Sequence, residues 1–273
     1  MKKLLCLFSA TLLVLSSCTS SSDDSFITDP APVSMILPKS VIDFQPYSSY
    51  QKYSTSTISY DGNKIKSIKD GDNRTDYVYD GNNQIVKITE FENGVKDEER
   101  TYTYANGKLA SSYYTLHDIP EYPTSGQFKF RSVYTYNSDG TIKKVVYDID
   151  PTTGAETKSS YESLSTITNG NLAKVVVTDV KSGSVHTDVY EYDTKNNPYK
   201  NITGANLLVI DEEKFGSNNR LTASSLFSHV SGSSKYEDKI DYEYNTDGYP
   251  TKAIFYYDYN NDKNVNRITE YTY

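Results

Sequence analysis

Three histidines, His117, His186 and His229, are the side chains best suited to acid–base work or metal ligation near neutral pH. They lie far apart, and none has a partner at a ligand spacing such as H-x-x-x-H. Exposed or loop positions are expected for all three. The adjacent carboxylates Glu98 with Glu99, and Glu212 with Glu213, would face opposite sides of a strand. That geometry is poor for a carboxylate pair that must flank one bond. No Gly-x-Ser-x-Gly elbow is present, and no glycine-rich loop could cradle a phosphate. A Ser-His-Asp set assembled from distant strands stays open. Asp258-Tyr259-Asn260-Asn261-Asp262-Lys263-Asn264 alternates oxygen donors as a calcium loop does. It places Lys263 where such a loop needs Gly and Thr269 where it needs a bidentate Glu, so it reads as a hairpin turn. The sequence therefore assigns no catalytic residue, no metal ligand and no cofactor.

The thiol with the most telling surroundings is Cys18. Lys2 and Lys3 precede an apolar run from Leu4 to Leu15, the layout of a secretory signal and too short to span a membrane. The run ends in Leu15-Ser16-Ser17-Cys18, which resembles a bacterial lipobox. The resemblance implies cleavage before Cys18 and acylation of its thiol, a palmitate-type anchor. Cys6 leaves with the leader, so the mature chain has no intramolecular disulfide. The stretch Thr19-Ser20-Ser21-Ser22-Asp23-Asp24 is similar to the surface-export signals of Bacteroidota lipoproteins. Thr19 also differs from the Asp that commonly retains lipoproteins at the inner membrane. The implied address is the outer membrane, lipid-anchored and exposed at the cell surface.

A third kind of chemistry is stacking. Tyrosines recur in pairs one residue apart: Tyr77 and Tyr79, Tyr102 and Tyr104, Tyr134 and Tyr136, Tyr190 and Tyr192, Tyr242 and Tyr244. Within a strand both rings of a pair point to one face. On neighbouring antiparallel strands they form a ladder in which each cross-strand pair contributes roughly 0.2–1 kcal/mol. The main expectation is that the pairs hold register. The functional expectation is a stacking surface for a glycan or peptide.

The elements that must carry these rings are strands. The chain of 273 residues holds 27 Tyr and no Trp, with a hydrophobic share of only 36%, which suits a large, well-wetted sheet better than a thick core. Asp61-Gly62, Asp80-Gly81, Asn93-Gly94, Asn106-Gly107, Asp139-Gly140, Asn169-Gly170 and Asp247-Gly248 are hairpin dipeptides. Asp70-Gly71, Thr153-Gly154 and Ser182-Gly183 fall between them and can turn the chain at the opposite end. No stretch carries a helical stripe. Gly81, Gly107, Gly140 and Gly248 each follow a tyrosine pair and are expected at one equivalent corner with positive φ. The pattern breaks near residues 193–220, where Asn196-Asn197-Pro198 replaces the glycine turn. The net charge of −8 becomes more acidic once Lys2 and Lys3 are removed, which excludes nucleic acid as a natural partner.

These units resemble YD/RHS-type repeats, carried best by Tyr60-Asp61-Gly62 and Tyr79-Asp80-Gly81. With the lipobox, the chain is similar to uncharacterised Bacteroidota surface lipoproteins, some of which have a porin-like sheet. Long RHS shells with C-terminal toxins differ, since no toxin segment follows here.

The resulting expectation is an all-β protein. Residues 1–17 form a lipoprotein signal peptide, 18–50 the lipidated Cys and a flexible linker, and 51–273 the repeat domain. Within the linker, Val41–Phe44 is an apolar run able to add a strand. The domain is an antiparallel meander of about 14–16 strands, curled into an open or closed barrel-like sheet. Lys64-Ile65-Lys66 and the charged run from Lys96 to Arg100 place charge on both strand parities, against a lipid-facing band. The function expected is a surface binding or structural module, binding glycan or peptide or an outer-membrane partner within an uptake system. The alternative is an extracytoplasmic hydrolase with a loop-built site.

Overall fold

The computed structural model describes residues 35–46, 52–117, 128–229, 232–259 and 262–273. Cys18, with the leader and most of the linker, lies outside the described residues.

The strands are β1 (Ser40–Gln45), β2 (Lys52–Asp61), β3 (Lys64–Asp70), β4 (Asn73–Tyr79), β5 (Ile85–Glu92) and β6 (Val95–Ala105). They continue as β7 (Lys108–Leu116), β8 (Phe128–Tyr136), β9 (Thr141–Ile149), β10 (Glu156–Thr168) and β11 (Asn171–Asp179). The last are β12 (Val185–Tyr192), β13 (Arg220–His229), β14 (Gly232–Tyr244), β15 (Pro250–Tyr259) and β16 (Asp262–Thr272). Each pairs antiparallel with its neighbour in sequence, and β1 also pairs with β16, so the meander closes into a sixteen-stranded barrel. The apolar run Val41–Phe44 lies in β1, the strand that makes this closure.

The tyrosine pairs sit at the ends of even-numbered strands, just before the turns of one mouth. The opposite mouth is turned by Asp70-Gly71, Thr153-Gly154 and Ser182-Gly183, among others. At the first mouth, Asn106 (φ 52) and Gly107 (φ 72) both adopt the left-handed backbone that a two-residue hairpin with the strands' twist requires. Gly140 (φ 85) and Gly248 (φ 76) share the positive φ of Gly107. Gly81 does not: the left-handed residue of its turn is Asn83 (φ 62). The expected equivalence holds for Gly140 and Gly248, whose amides donate to Asn137 O and Asn245 O in the same turn. Asn83 takes that place in the third such turn, so the expectation fails at Gly81, and Gly107 shares the positive φ within a two-residue turn. The Asp80 carboxylate accepts from the amides of Asn82 (2.9 Å) and Gln84 (2.8 Å), as the Asn245 side chain does from Asp247 and Tyr249.

The second tyrosine of a pair has a consistent role. A register shift immediately precedes Tyr60, Tyr79, Tyr104, Tyr192 and Tyr244. Such bulges bend the strand and re-aim the following side chain. Each hydroxyl then reaches back to an earlier turn. Tyr60 donates to Pro38 O (2.8 Å), Tyr104 to Ile85 O (2.6 Å), Tyr192 to Leu172 O (2.9 Å) and Tyr273 to Pro250 O (2.9 Å). Tyr79 accepts from the Ile65 amide (3.1 Å). The tyrosines are therefore latches between successive hairpins. β10 has a shift at the same place, with Ile167 standing where the tyrosine would be.

Both rings of a pair face the lumen, because the alternate positions carry exposed or charged groups. Val78 is exposed between Tyr77 and Tyr79. Lys87–Glu99 (3.6 Å), Arg131–Glu156 (2.5 Å), Lys143–Glu162 (2.6 Å) and Lys239–Asp241 (2.7 Å) are ion pairs of the outer wall.

Candidate functional site

The segment between β12 and β13, where the sequence pattern breaks, fills one mouth of the barrel. Asn219, 2% exposed, ties its start to its end: its amide and side chain donate to the Asp193 carboxylate, at 3.0 and 3.1 Å. Between these ends the chain visits the turns around the mouth. Asn196 N donates to Gly248 O (2.9 Å), Thr203 N to Asn63 O (3.0 Å), and Ser217 N to Gly170 O (3.2 Å). A Cβ on Gly204 (φ +75) would stand 2.6 Å from the Asn83 carbonyl oxygen, so only glycine permits that approach. Two short 3-10 turns, Ala205–Leu208 and Glu213–Phe215, point Leu208 (0% exposed) and Phe215 (2%) into the barrel's core with Ile85, Ile88 and Leu109. The segment is a plug.

The plug is held asymmetrically. Asp211 accepts from the Tyr134 hydroxyl (2.6 Å) and pairs with Lys144 (2.8 Å). Glu212 stands 3.4 Å from the Tyr102 hydroxyl and 3.6 Å from Arg100, which also binds Glu90 (2.6 Å) and Glu98 (2.7 Å). Burial, reinforced by Glu212, pushes the phenols of Tyr77 and Tyr102 upward. Tyr134 moves the same way, through burial and then Asp211. Tyr77, Tyr102 and Tyr134 are thus covered by the plug, whereas Tyr79 and Tyr104 serve as latches. Tyr136 is held by the Leu109 backbone.

On the other side the plug leaves a cavity of about 380 Å³ between itself and β1 and β12–β16. Its wall includes the rings of Tyr192, Tyr242 and Phe255 and the charges of Asp43, Arg220 and Arg267. Of the tyrosines singled out by sequence, only Tyr192 and Tyr242 reach it. Tyr190 lies beneath the Arg220 guanidinium (5.7 Å), and Tyr244 donates to the Asp193 carboxylate and stacks on Tyr242 (5.8 Å). Asp43, Arg220 and Arg267 carry no sequence signal. Each belongs to a different strand, and only the closure of β1 on β16 gathers them.

The histidines do not converge. His117 follows β7, His186 lies on β12, and His229 ends β13 with its side chain outside the described residues. His186 does meet a carboxylate and a serine. Its ring stacks on Phe227 (3.9 Å), and its Nε2 stands 2.9 Å from Asp188 Oδ1, off the line of a hydrogen bond. Ser225 donates to the same carboxylate (2.6 Å). The acid lies between the serine and the histidine, so the imidazole is not placed to take the serine's proton. The segment from Asp258 to Asn264 is the β15–β16 hairpin, its tip residues outside the described residues. Among the described residues, no group of His, Cys, Asp and Glu is arranged to hold a metal ion.

Fold and filled lumen together define the class: a closed, sixteen-stranded antiparallel barrel with an internal plug. No protein-family model and no curated protein matches the chain. Among solved structures it is similar to a porin-like protein from Bacteroides uniformis ATCC 8492. That match has 10% identity and a TM-score of 0.49, covering 86% of this chain and 97% of that one. It is also similar to a protein of unknown function from Bacteroides fragilis NCTC 9343. There the identity is 11% and the TM-score 0.23, over 53% of this chain and 82% of that one.

Proposed function

We propose that the chain is a lipid-anchored surface module that binds a small polar ligand, a saccharide in preference to a peptide, inside its barrel. The observation that carries this reading is the cavity beside the plug. It is concave, of ligand size, and combines aromatic faces with charged groups at fixed positions. Aromatic faces suit the apolar side of a sugar ring, and charged groups suit its hydroxyls.

Sixteen strands also suit a membrane pore. The outer wall weighs against that reading. Charged residues facing lipid cost up to roughly 2–4 kcal/mol each at the bilayer midplane, and Glu99, Arg131, Glu162 and Asp241 all stand on that wall. A barrel standing in water and tethered through Cys18 avoids the cost. The hydrolase alternative is disfavoured by the placement of Asp188 between Ser225 and His186.

Two measurements test the reading. Cys18→Ala should move the protein from the membrane to the soluble fraction, and unchanged retention would refute the tether. Calorimetric titration with an array of oligosaccharides and short peptides should show saturable binding that Tyr242→Ala weakens. Absence of binding by every member would refute the binding role.

A further inference from the structure

We infer that the ligand of the lumen cavity is an acidic saccharide, read through its carboxylate by Arg267 and Arg220; the inference rests on the binding role proposed above. The Arg267 guanidinium stands over the Phe255 ring, its Cζ 4.0 Å from the ring centre. Its Nε is buried and makes no hydrogen bond among the described residues; Asp43 forms an ion pair with it at 3.7 Å, beyond hydrogen-bond reach. Asp43 is itself occupied by the Thr269 hydroxyl. Arg220 gives one nitrogen, Nη1, to Glu213, while its plane lies over Tyr190. Its remaining donors make no hydrogen bond among the described residues. Both arginines also line an adjoining cavity of about 210 Å³, so they stand where the two spaces meet.

The neutral groups tell the same story. Tyr199, Tyr242 and Tyr271 line the cavity, and none of their hydroxyls makes a hydrogen bond among the described residues. The amide side chains nearby are spent. Asn197 donates to Asn218 O and accepts from the Tyr199 amide, and Asn219 is bound to Asp193. Among the described residues the wall therefore holds idle donors on both arginines and on the three phenols. A fitting ligand brings acceptors, and the strongest acceptor for a guanidinium fork is a carboxylate. The phenol hydroxyls and ring faces then suit the hydroxyls and apolar face of the sugar that carries it. A neutral sugar would offer the Arg267 guanidinium no ionic contact beyond the long one it has with Asp43.

The test compares sugars that differ only at C6. The full-length chain is titrated calorimetrically with D-galacturonate and D-galactose, and with D-glucuronate and D-glucose. At least one uronate should bind about tenfold or more tightly than its neutral counterpart, and the advantage should shrink as salt is raised. Arg267→Gln should erase the advantage, so that acid and neutral sugar bind the variant alike, and Arg267→Lys should restore part of it. Thermal melting of both variants establishes that the barrel is intact. Equal affinity for acid and neutral sugar in the unaltered chain overturns the acidic-ligand inference and leaves the binding role standing. Equal loss of both sugars in a folded Arg267→Gln variant overturns it too. Absence of binding by all four sugars overturns the inference, and the wider array of oligosaccharides and peptides then decides the binding role separately.

Discussion

The same tyrosine repeat builds two sides of this barrel, and the two sides differ in what they face. On β4, β6 and β8, the first tyrosines of the pairs are 7%, 3% and 6% exposed beneath the plug. Two of them meet its carboxylates, Glu212 and Asp211. On β12, β14 and β16 the corresponding rings are half-buried, and Tyr192, Tyr242 and Tyr271 border the cavity. The motif is alike on both sides; what differs is the off-centre path of residues 193–219. The repeat is scaffolding, and a site arises where the segment that fills the lumen fails to cover it.

The plug should therefore dominate stability on the sealed side. Leu208→Ala removes a fully buried side chain and is expected to cost about 2–5 kcal/mol, read as a shift in the denaturant midpoint. A cost below about 1 kcal/mol would mean that the plug is not packed, and the contrast between the sides would collapse. Asp211→Ala takes the ionic partner from Lys144 and leaves the buried Tyr134 hydroxyl with only Ser112 among the described residues. About 2–3 kcal/mol is expected in the same measurement.

A smaller pair of changes separates latch from lining. Tyr104→Phe strips a donor from the Ile85 carbonyl and should cost about 1 kcal/mol or slightly more. Tyr242→Phe removes a hydroxyl that holds nothing among the described residues and should stay within about 0.5 kcal/mol, while weakening ligand binding. Similar melting shifts for the two would erase the distinction.

The gentlest probe is alkali. Burial raises Tyr79 and Tyr190 to about 12, one from each side; the Ile65 amide moderates the first, and Asp188 adds to the second. A phenol with a folded pKa above its unfolded value contributes stability in full below pH about 10. That contribution is lost as pH climbs towards 12. Phenolate absorbance should thus lag the titration of free tyrosine until the barrel unfolds. A titration that finishes near pH 10 with the fold intact would show that the rings are wet.

Much of the wall was legible in the sequence. Turn dipeptides such as Asn106-Gly107 mark the corners, and the Tyr-x-Tyr spacing puts paired rings on one face. Closure was not, because the joining strand β1 is a short apolar run, Val41–Phe44, lying within residues that read as linker. The bulges before the second tyrosines were hidden as well, since a bulge depends on the partner strand's register. The plug announced itself only as a lapse in the repeat, at Asn196-Asn197-Pro198. Arg220, Arg267 and Asp43 were invisible for a topological reason: residues far apart in sequence become neighbours only once the ring is complete.

The seam between β1 and β16 also bears on how the chain assembles. Every other pairing joins strands adjacent in sequence, most of them through a short turn and β12 with β13 through the plug. The seam alone matches Ser40 with Thr272, across nearly the whole described chain. As contacts between an unstructured beginning and end, these would carry the largest loop-closure entropy in the molecule. As the meeting of two edges of an already coiled meander, they become a docking of the six-residue β1. The plug precedes β13–β16 in sequence and rests on turns of β2–β3, β4–β5 and β10–β11, so most of its seat exists before the ring shuts. Pulsed hydrogen exchange during refolding is expected to protect the amides of β5–β11 early and those of β1 and β16 last. The barrel would then be a roll that closes around its own contents, with nothing threaded through a finished ring.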